Sequence, residues 1–295
     1  MPDRAMDLNR ERGKYIIAVV LYGTIGTFLR YVNLPSELVA MCRGAIGSVF
    51  ILLYLRLRRR QMNWDVIRRS WRTLVLSGVC LGLNWIFLFA AYMHTTVAIA
   101  SLCNYMAPLI VILLSPLVFR ERLDLRRLPC VAVALIGIVL VSGVSGGGNP
   151  LGVLMGLLAA LCFVAIVICN RRMPEVDALE KSVVQLAVSA LTILPYVLVH
   201  NRGLTLQPDP RSILIVLMLG VIHTGAAYCL YFSGMSKLPV QTVAILGYLE
   251  PVVSVLCSAF FLHEPLGWTG WLGAALVIGA AAVSETIGTA KDKAA

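Results

Sequence analysis

Ten apolar stretches follow one another along this chain, each about as long as the roughly 20 residues a helix needs to cross a hydrocarbon core about 30 Å thick. They lie near 14–32, 36–55, 73–93, 96–119, 128–145, 150–170, 179–199, 212–235, 239–262 and 267–285. Within each stretch the apolar residues run all round the periodicity instead of alternating. Lipid offers backbone groups no hydrogen-bond partners, so this pattern favours helices over a barrel. Gly, Pro and short polar links punctuate the stretches and set their ends. The fold class expected is an all-α polytopic membrane protein with ten transmembrane helices.

Composition agrees: 59% of the 295 residues are hydrophobic and 14% are charged, with a mean hydropathy of +0.85, which is outside the range of a soluble domain. The net charge of +10 raises the question of nucleic acid, and its distribution answers it. If the N-terminus is cytoplasmic, the inner segments hold 20 of the 25 basic residues, including the run 56–72 (RLRRRQMNWDVIRRSWR) and the run 120–127 (RERLDLRR). The outer links hold Arg202 and Arg211, with Arg30 near the first outer end. By the positive-inside rule both termini are cytoplasmic, in a bacterial-type inner membrane. The basic loops then set topology and contact anionic lipid, and no nucleic-acid partner is expected.

The basic start followed by an apolar run resembles a secretory signal, but no small-residue cleavage site follows it, so it is read as a retained first helix. The eight cysteines fall within or at the edges of apolar spans, without CxxC or metal-type spacing, and are expected to be reduced packing residues. No metal site or cofactor is expected.

Sliding the second half back by 143 positions aligns Gly82 with Gly225, Phe89 with Phe232, Val97 with Val240, Tyr105 with Tyr248, Pro108 with Pro251, Glu121 with Glu264 and Leu123 with Leu266. Trp85 meets Tyr228 at the same offset. An odd number of spans per half places the halves in opposite orientation, the sequence signature of alternating-access carriers. The stretch Asn104-Tyr105-Met106-Ala107-Pro108, followed by Phe119-Arg120-Glu121-Arg122-Leu123, returns as Tyr248-Leu249-Glu250-Pro251, followed by Leu262-His263-Glu264-Pro265-Leu266. In this it resembles the two EamA repeats of the drug/metabolite transporter superfamily, over nearly the whole chain. The resemblance implies two inverted five-helix repeats, 14–145 and 150–285, between cytoplasmic tails 1–13 and 286–295. It also implies a cavity surrounded by spans 1, 3, 4, 6, 8 and 9, and movement of small metabolites, often outward.

Pro108 and Pro251 each lack an N–H and crowd the preceding turn, so paired kinks are expected, either as gates or as fixed bends. Glu250 has Ala107 as its repeat mate, so the carboxylate is not there for the kink. A mid-membrane glutamate has to be protonated, paired or facing water. By helical spacing it shares a face with Val243, Gly247 and Ser254. Two roles stay open for it: an ion pair, with Arg43 as partner, or a proton or substrate site. Trp85, Tyr105, Tyr228 and Tyr248 lie at middle depth, where aromatic faces with polar tips suit a small organic molecule or serve packing. Asn84 and Asn104 are amides that need partners on a helix or on the cargo. His223 either relays a proton or is hydrogen-bonded between helices. Glu121 and Glu264 are expected to anchor helix ends, and the pairs Gly78/Gly82 and Gly152/Gly156 to mark close-packing faces.

No enzyme is expected. Gly143-Val144-Ser145-Gly146-Gly147 matches GxSxG, but it sits in a glycine-rich link and not on a strand-to-helix turn. The expectation is a secondary transporter, an exporter of amino acids or similar amphipathic metabolites, with protons as a coupling ion. The alternatives are an uptake carrier or exchanger for a nucleoside, vitamin or organic cation and, from other classes, a membrane receptor or an intramembrane enzyme. The partners expected are a small-molecule substrate and membrane lipids, for a monomer or homodimer.

Overall fold

The computed structural model describes residues 2–95, 100, 103–119, 125–142, 149–200, 209–261 and 267–294. Its elements are α1 (Pro2–Leu29), α2 (Ser36–Leu57), α3 (Trp64–His94), α4 (Ala107–Phe119), α5 (Leu128–Ser142), α6 (Pro150–Arg171) and α7 (Ala178–His200). They continue with α8 (Pro210–Lys237), α9 (Val240–Gly247), α10 (Leu249–Phe261) and α11 (Trp268–Ala294). No strand occurs among the described residues. Five of these helices, α2, α3, α6, α7 and α8, are long and apolar enough to cross a membrane. Leu57, Leu117 and Phe261 stand exposed on the outer surface, as side chains that face lipid do.

Three helices outrun their apolar stretches. α3 begins at Trp64, where the Asn63 side chain accepts from the Val66 N–H at 3.3 Å, so much of the basic run 56–72 is helical and not linker. α1 begins at Pro2 and α11 runs to Ala294. Hydropathy marks where a helix meets lipid, and helix-forming charged residues extend it beyond. At the start of α1 the Glu11–Lys14 pair, at 2.8 Å, spans one turn.

The kinks expected at Pro108 and Pro251 take the form of breaks. Tyr105 and Met106 form a turn before α4, and Tyr248 forms one between α9 and α10. Each proline falls in the first turn of the helix that follows, where a missing N–H costs little. The Met106 N–H donates to the Cys103 carbonyl and the Tyr248 N–H to the Ile245 carbonyl, both at 3.1 Å, the tighter i→i−3 spacing of a helix end.

Glycines set the helix contacts. A Cβ on Gly78 would lie 2.6 Å from the Val188 side chain, and one on Gly82 2.7 Å from Thr192, so α3 lies directly on α7. Gly152 meets Thr95 and Gly156 meets Cys103 in the same way, as expected of small-residue faces. Gly23 brings α1 onto the Glu250 carbonyl and Val253 of α10, and Gly234 brings the end of α8 onto Glu11 and Tyr15. A second, smaller cluster joins α5, α10 and α11 through Ala134, Val252, Ala274 and Val277. All eight cysteines are free.

Candidate functional site

Where α1, α4, α6, α8, α9 and α10 converge, they leave a cavity of about 560 Å³, mouth included. Its polar and aromatic wall is Tyr15, Asn104, Tyr105, Phe163, Tyr231 and Glu250, and its apolar wall includes Val19, Val111, Val167 and Val243. Glu250 is half-buried and, among the described residues, is the one carboxylate in this wall, which contains no described lysine, arginine or histidine.

Glycine and helical spacing account for the placement of Glu250. Its face of α10 runs against α1, where Gly23 admits the Glu250 carbonyl and Gly26 lies near the Ser254 hydroxyl. Gly247, a turn earlier, leaves room for the Tyr15 hydroxyl, and that hydroxyl donates to the Val243 carbonyl at 3.0 Å. The Tyr15 ring also packs at a tilt on Tyr231, with centroids 4.8 Å apart. Tyr22, one heptad after Tyr15 on α1, packs edge-on to Tyr228 at 5.6 Å. These rings form a continuous tyrosine surface between α1 and α8.

Asn84 of α3 donates to the Ala159 carbonyl at 2.8 Å and to Asn104 Oδ1 at 3.2 Å. Both amides thus find protein partners, and Asn104, which lines the cavity, is held from behind. Arg43 makes no ion pair with Glu250 among the described residues; its guanidinium lies over the Trp85 ring, 4.2 Å from the centroid. Trp85 and Tyr228 are buried in the main core outside the cavity wall. Tyr248 is fully buried in the α5–α11 cluster and is not part of the cavity wall.

His223 also lies outside the wall. It sits in a π-helical stretch of α8, Leu219–Ala226, with its Nε2 3.0 Å from the Thr24 hydroxyl and its ring 5.3 Å from Phe28. The Thr24 hydroxyl also lies 2.7 Å from the Leu21 carbonyl, to which it donates, so His223 is hydrogen-bonded between α1 and α8. The backbone at Pro108 opens α4 and Pro251 is buried in α10. Ser145, Glu121 and Glu264 lie outside the described residues.

At the end of the bundle where α1 begins, a charged cluster closes the wall. Lys14 and Lys237 both reach Glu11 Oε1, at 2.8 and 3.1 Å, and the Ser233 hydroxyl donates to Glu11 Oε2 at 3.3 Å. Burial works to raise the Glu11 carboxyl, but hydrogen bonds and charge from Lys14 and Lys237 outweigh it and hold it below its ordinary value.

The polar and aromatic wall residues absent from the sequence-level expectation are Tyr15, Tyr231 and Phe163. The i, i+3 spacing of Tyr228 and Tyr231 and the i, i+7 spacing of Tyr15 and Tyr22 carried a signal for the first two.

The sequence matches the model of the EamA-like transporter family twice, over residues 15–143 and 150–286. It is 24% identical over 265 residues to an uncharacterized transporter of Bacillus subtilis, YxxF, covering 86% of this chain and 84% of that protein. It is 28% identical over 260 residues to the aromatic amino acid exporter YddG of Ancylobacter novellus, covering 86% of this chain and 88% of that protein. A crystal structure superposes with a TM-score of 0.83 at 23% identity over 94% of this chain and 98% of that one, a likeness of fold.

Proposed function

We propose that this chain, which belongs to the EamA-like transporter family, is a multi-pass transporter that exports small amphipathic metabolites bearing an ammonium group, amino acids among them. The observation that carries this reading is the Glu250 carboxylate facing a cavity of tyrosine rings, with no basic residue among the described residues of its wall. A carboxylate beside aromatic faces attracts a cationic head through charge and through the ring quadrupole. The rings of Tyr15, Tyr105 and Tyr231 provide apolar area for the body of the cargo. A strongly anionic cargo would meet the like charge of Glu250 in the wall itself. The Ancylobacter novellus relative, named as an aromatic amino acid exporter, supports the amino-acid part of the reading.

Alternating access is the mechanism proposed. The 143-residue offset pairs two halves, and the breaks at Tyr105–Met106 and at Tyr248 fall at matching points in them, where short helices can re-aim without breaking a continuous ladder. The Glu11–Lys237 pair and the Tyr15–Val243 hydrogen bond tie α1 to the end of α8 and to α9. They serve as the gate on the side where α1 begins. By the distribution of basic residues that side is cytoplasmic, in an inner membrane. Glu250 is the coupling group proposed: a proton and an ammonium compete for one carboxylate, so a proton gradient drives the ammonium-bearing cargo the other way.

A second reading, exchange of organic cations without a carboxylate, is favoured because no basic residue occurs among the described residues of the wall. Flux of labelled amino acids and of labelled organic amines into proteoliposomes separates the two. Flux of amino acids supports the first reading and flux of amines alone the second, whereas no flux from any member of either set overturns both.

A further inference from the structure

A second cavity, of about 820 Å³ with its open mouth included, lies between the end of α2 and the start of α3, away from the residues that line the first. Leu52 and Leu55 form an apolar wall, Arg56, Arg59 and Arg60 form a basic rim, and Trp64 also lines the cavity and is well exposed. The backbone there is held in a fixed helix stop. The Arg60 N–H donates to the Leu55 carbonyl at 2.9 Å and the Arg59 N–H to the Arg56 carbonyl at 3.0 Å. Arg59 occupies the left-handed position between them, with φ 53°. Where a helix stops on a left-handed residue, that residue is usually glycine, because a Cβ is strained there. The chain keeps an arginine instead, and so gains a guanidinium at the rim.

Among the described residues, the charge at the rim is only partly balanced. Arg60 pairs with Asp177 at 2.9 Å, and Arg58 is turned aside over Tyr54. Neither Arg56 nor Arg59 makes an ion pair among the described residues.

We propose that this cavity binds the phosphodiester headgroup of an anionic phospholipid from the leaflet on that side. Arginine forks match phosphate oxygens in pairs, and a basic pocket beside apolar helix surface is the usual form of an acidic-lipid site. The apolar wall continues onto the exposed Leu53 and Leu57 of α2, a path for the acyl chains that a soluble phosphate would not use. An exposed tryptophan beside the basic rim is typical of the interfacial layer. The site lies at a joint of the bundle. Arg60 reaches Asp177, the Asn63 N–H donates to Glu180 at 2.7 Å, and the Ser70 hydroxyl donates to Glu175 at 2.7 Å. A bound headgroup therefore steadies the seat of the α2–α3 link on the α6–α7 link.

The test uses the purified full-length protein in phosphatidylcholine nanodiscs, with phosphatidylglycerol, more phosphatidylcholine or inorganic phosphate added in separate arms. Bound lipid is read by native mass spectrometry and stability by thermal unfolding. Phosphatidylglycerol is expected to bind and to raise the melting temperature where the other two do not. Arg56→Gln and Arg59→Gln should each weaken that binding about fivefold, the equivalent of about 1 kcal/mol per basic residue. Arg59→Gly relieves the left-handed backbone, so it should melt above wild type in phosphatidylcholine and still lose the phosphatidylglycerol response. Arg126→Gln, on another basic loop, should leave that response intact. An equal effect from inorganic phosphate, no preference for phosphatidylglycerol, or an equal loss in Arg126→Gln would overturn the proposal.

Discussion

The guanidinium of Arg43 on α2 lies over the ring of Trp85 on α3, 4.2 Å from its centroid. A half-buried cation is thus accommodated by an aromatic face, and Glu250 lines the cavity. Cation–π contacts contribute about 0.5–1 kcal/mol where exposed and about 2 kcal/mol where water is excluded. Trp85 is buried, so the upper figure applies.

Trp85→Leu keeps an apolar side chain in place but removes the ring. It should cost about 2 kcal/mol of stability, and Arg43→Met should cost much less once Trp85 is already Leu. A double-mutant cycle of unfolding in detergent measures the coupling. Additive losses would show that the two side chains do not support each other.

Glycine contacts give a sharper contrast. A Cβ on Gly82 would sit 2.7 Å from Thr192 and 3.0 Å from the Ser189 carbonyl, whereas Gly279 has nothing within 4 Å. Gly82→Ala should therefore destabilise by about 1–3 kcal/mol through overpacking. Gly279→Ala should be neutral or stabilising by up to about 1 kcal/mol, from reduced freedom of the unfolded chain. Melting temperatures of the two variants decide it, and equal shifts would contradict the packing described.

Acid should loosen the end of the bundle where α1 begins. Glu11 is held below its ordinary value, Lys14 and Lys237 outweighing burial. Glu175 is held low by its hydrogen bond from Ser70. A carboxyl whose folded value lies below its unfolded one contributes stability that is complete above the unfolded value, near about 4.3, and is lost as pH falls through the folded value. The melting temperature should drop as the pH is lowered below about 4.5, and Glu11→Gln should drop less across that window than wild type while melting lower at neutral pH. Parallel pH profiles for the two proteins would remove Glu11 from the account.

Much of this fold could be read from the sequence, because lipid allows a backbone few choices and apolar runs of helical length carry that constraint. The breaks at Tyr105–Met106 and Tyr248 were signalled by Pro108 and Pro251, though as kinks. The cavity wall was only partly legible. The internal repeat paired Tyr105 with Tyr248, yet one lines the cavity and the other is buried against Ala274 and Val277. A sequence offset fixes depth and leaves open which neighbour a helix face meets. Tyr15 escaped the same criterion because its repeat mate is Leu158, so symmetry gave it no weight. The π-helical stretch around His223 has no signal in composition or period. It depends on how α8 fits α2, where Gly47 meets Thr224 and Gly220 meets Ile46.

The measurement that bears most directly on the central claim compares wild type with Glu250→Gln in proteoliposomes, following flux of labelled amino acids and organic amines with and without a pH gradient. The account predicts that wild type moves cargo against the proton gradient, and that Glu250→Gln loses this gradient-driven flux while gradient-free exchange persists. Equal gradient-driven flux in the two proteins would contradict it, and would leave Glu250 as a packing residue between α1 and α10.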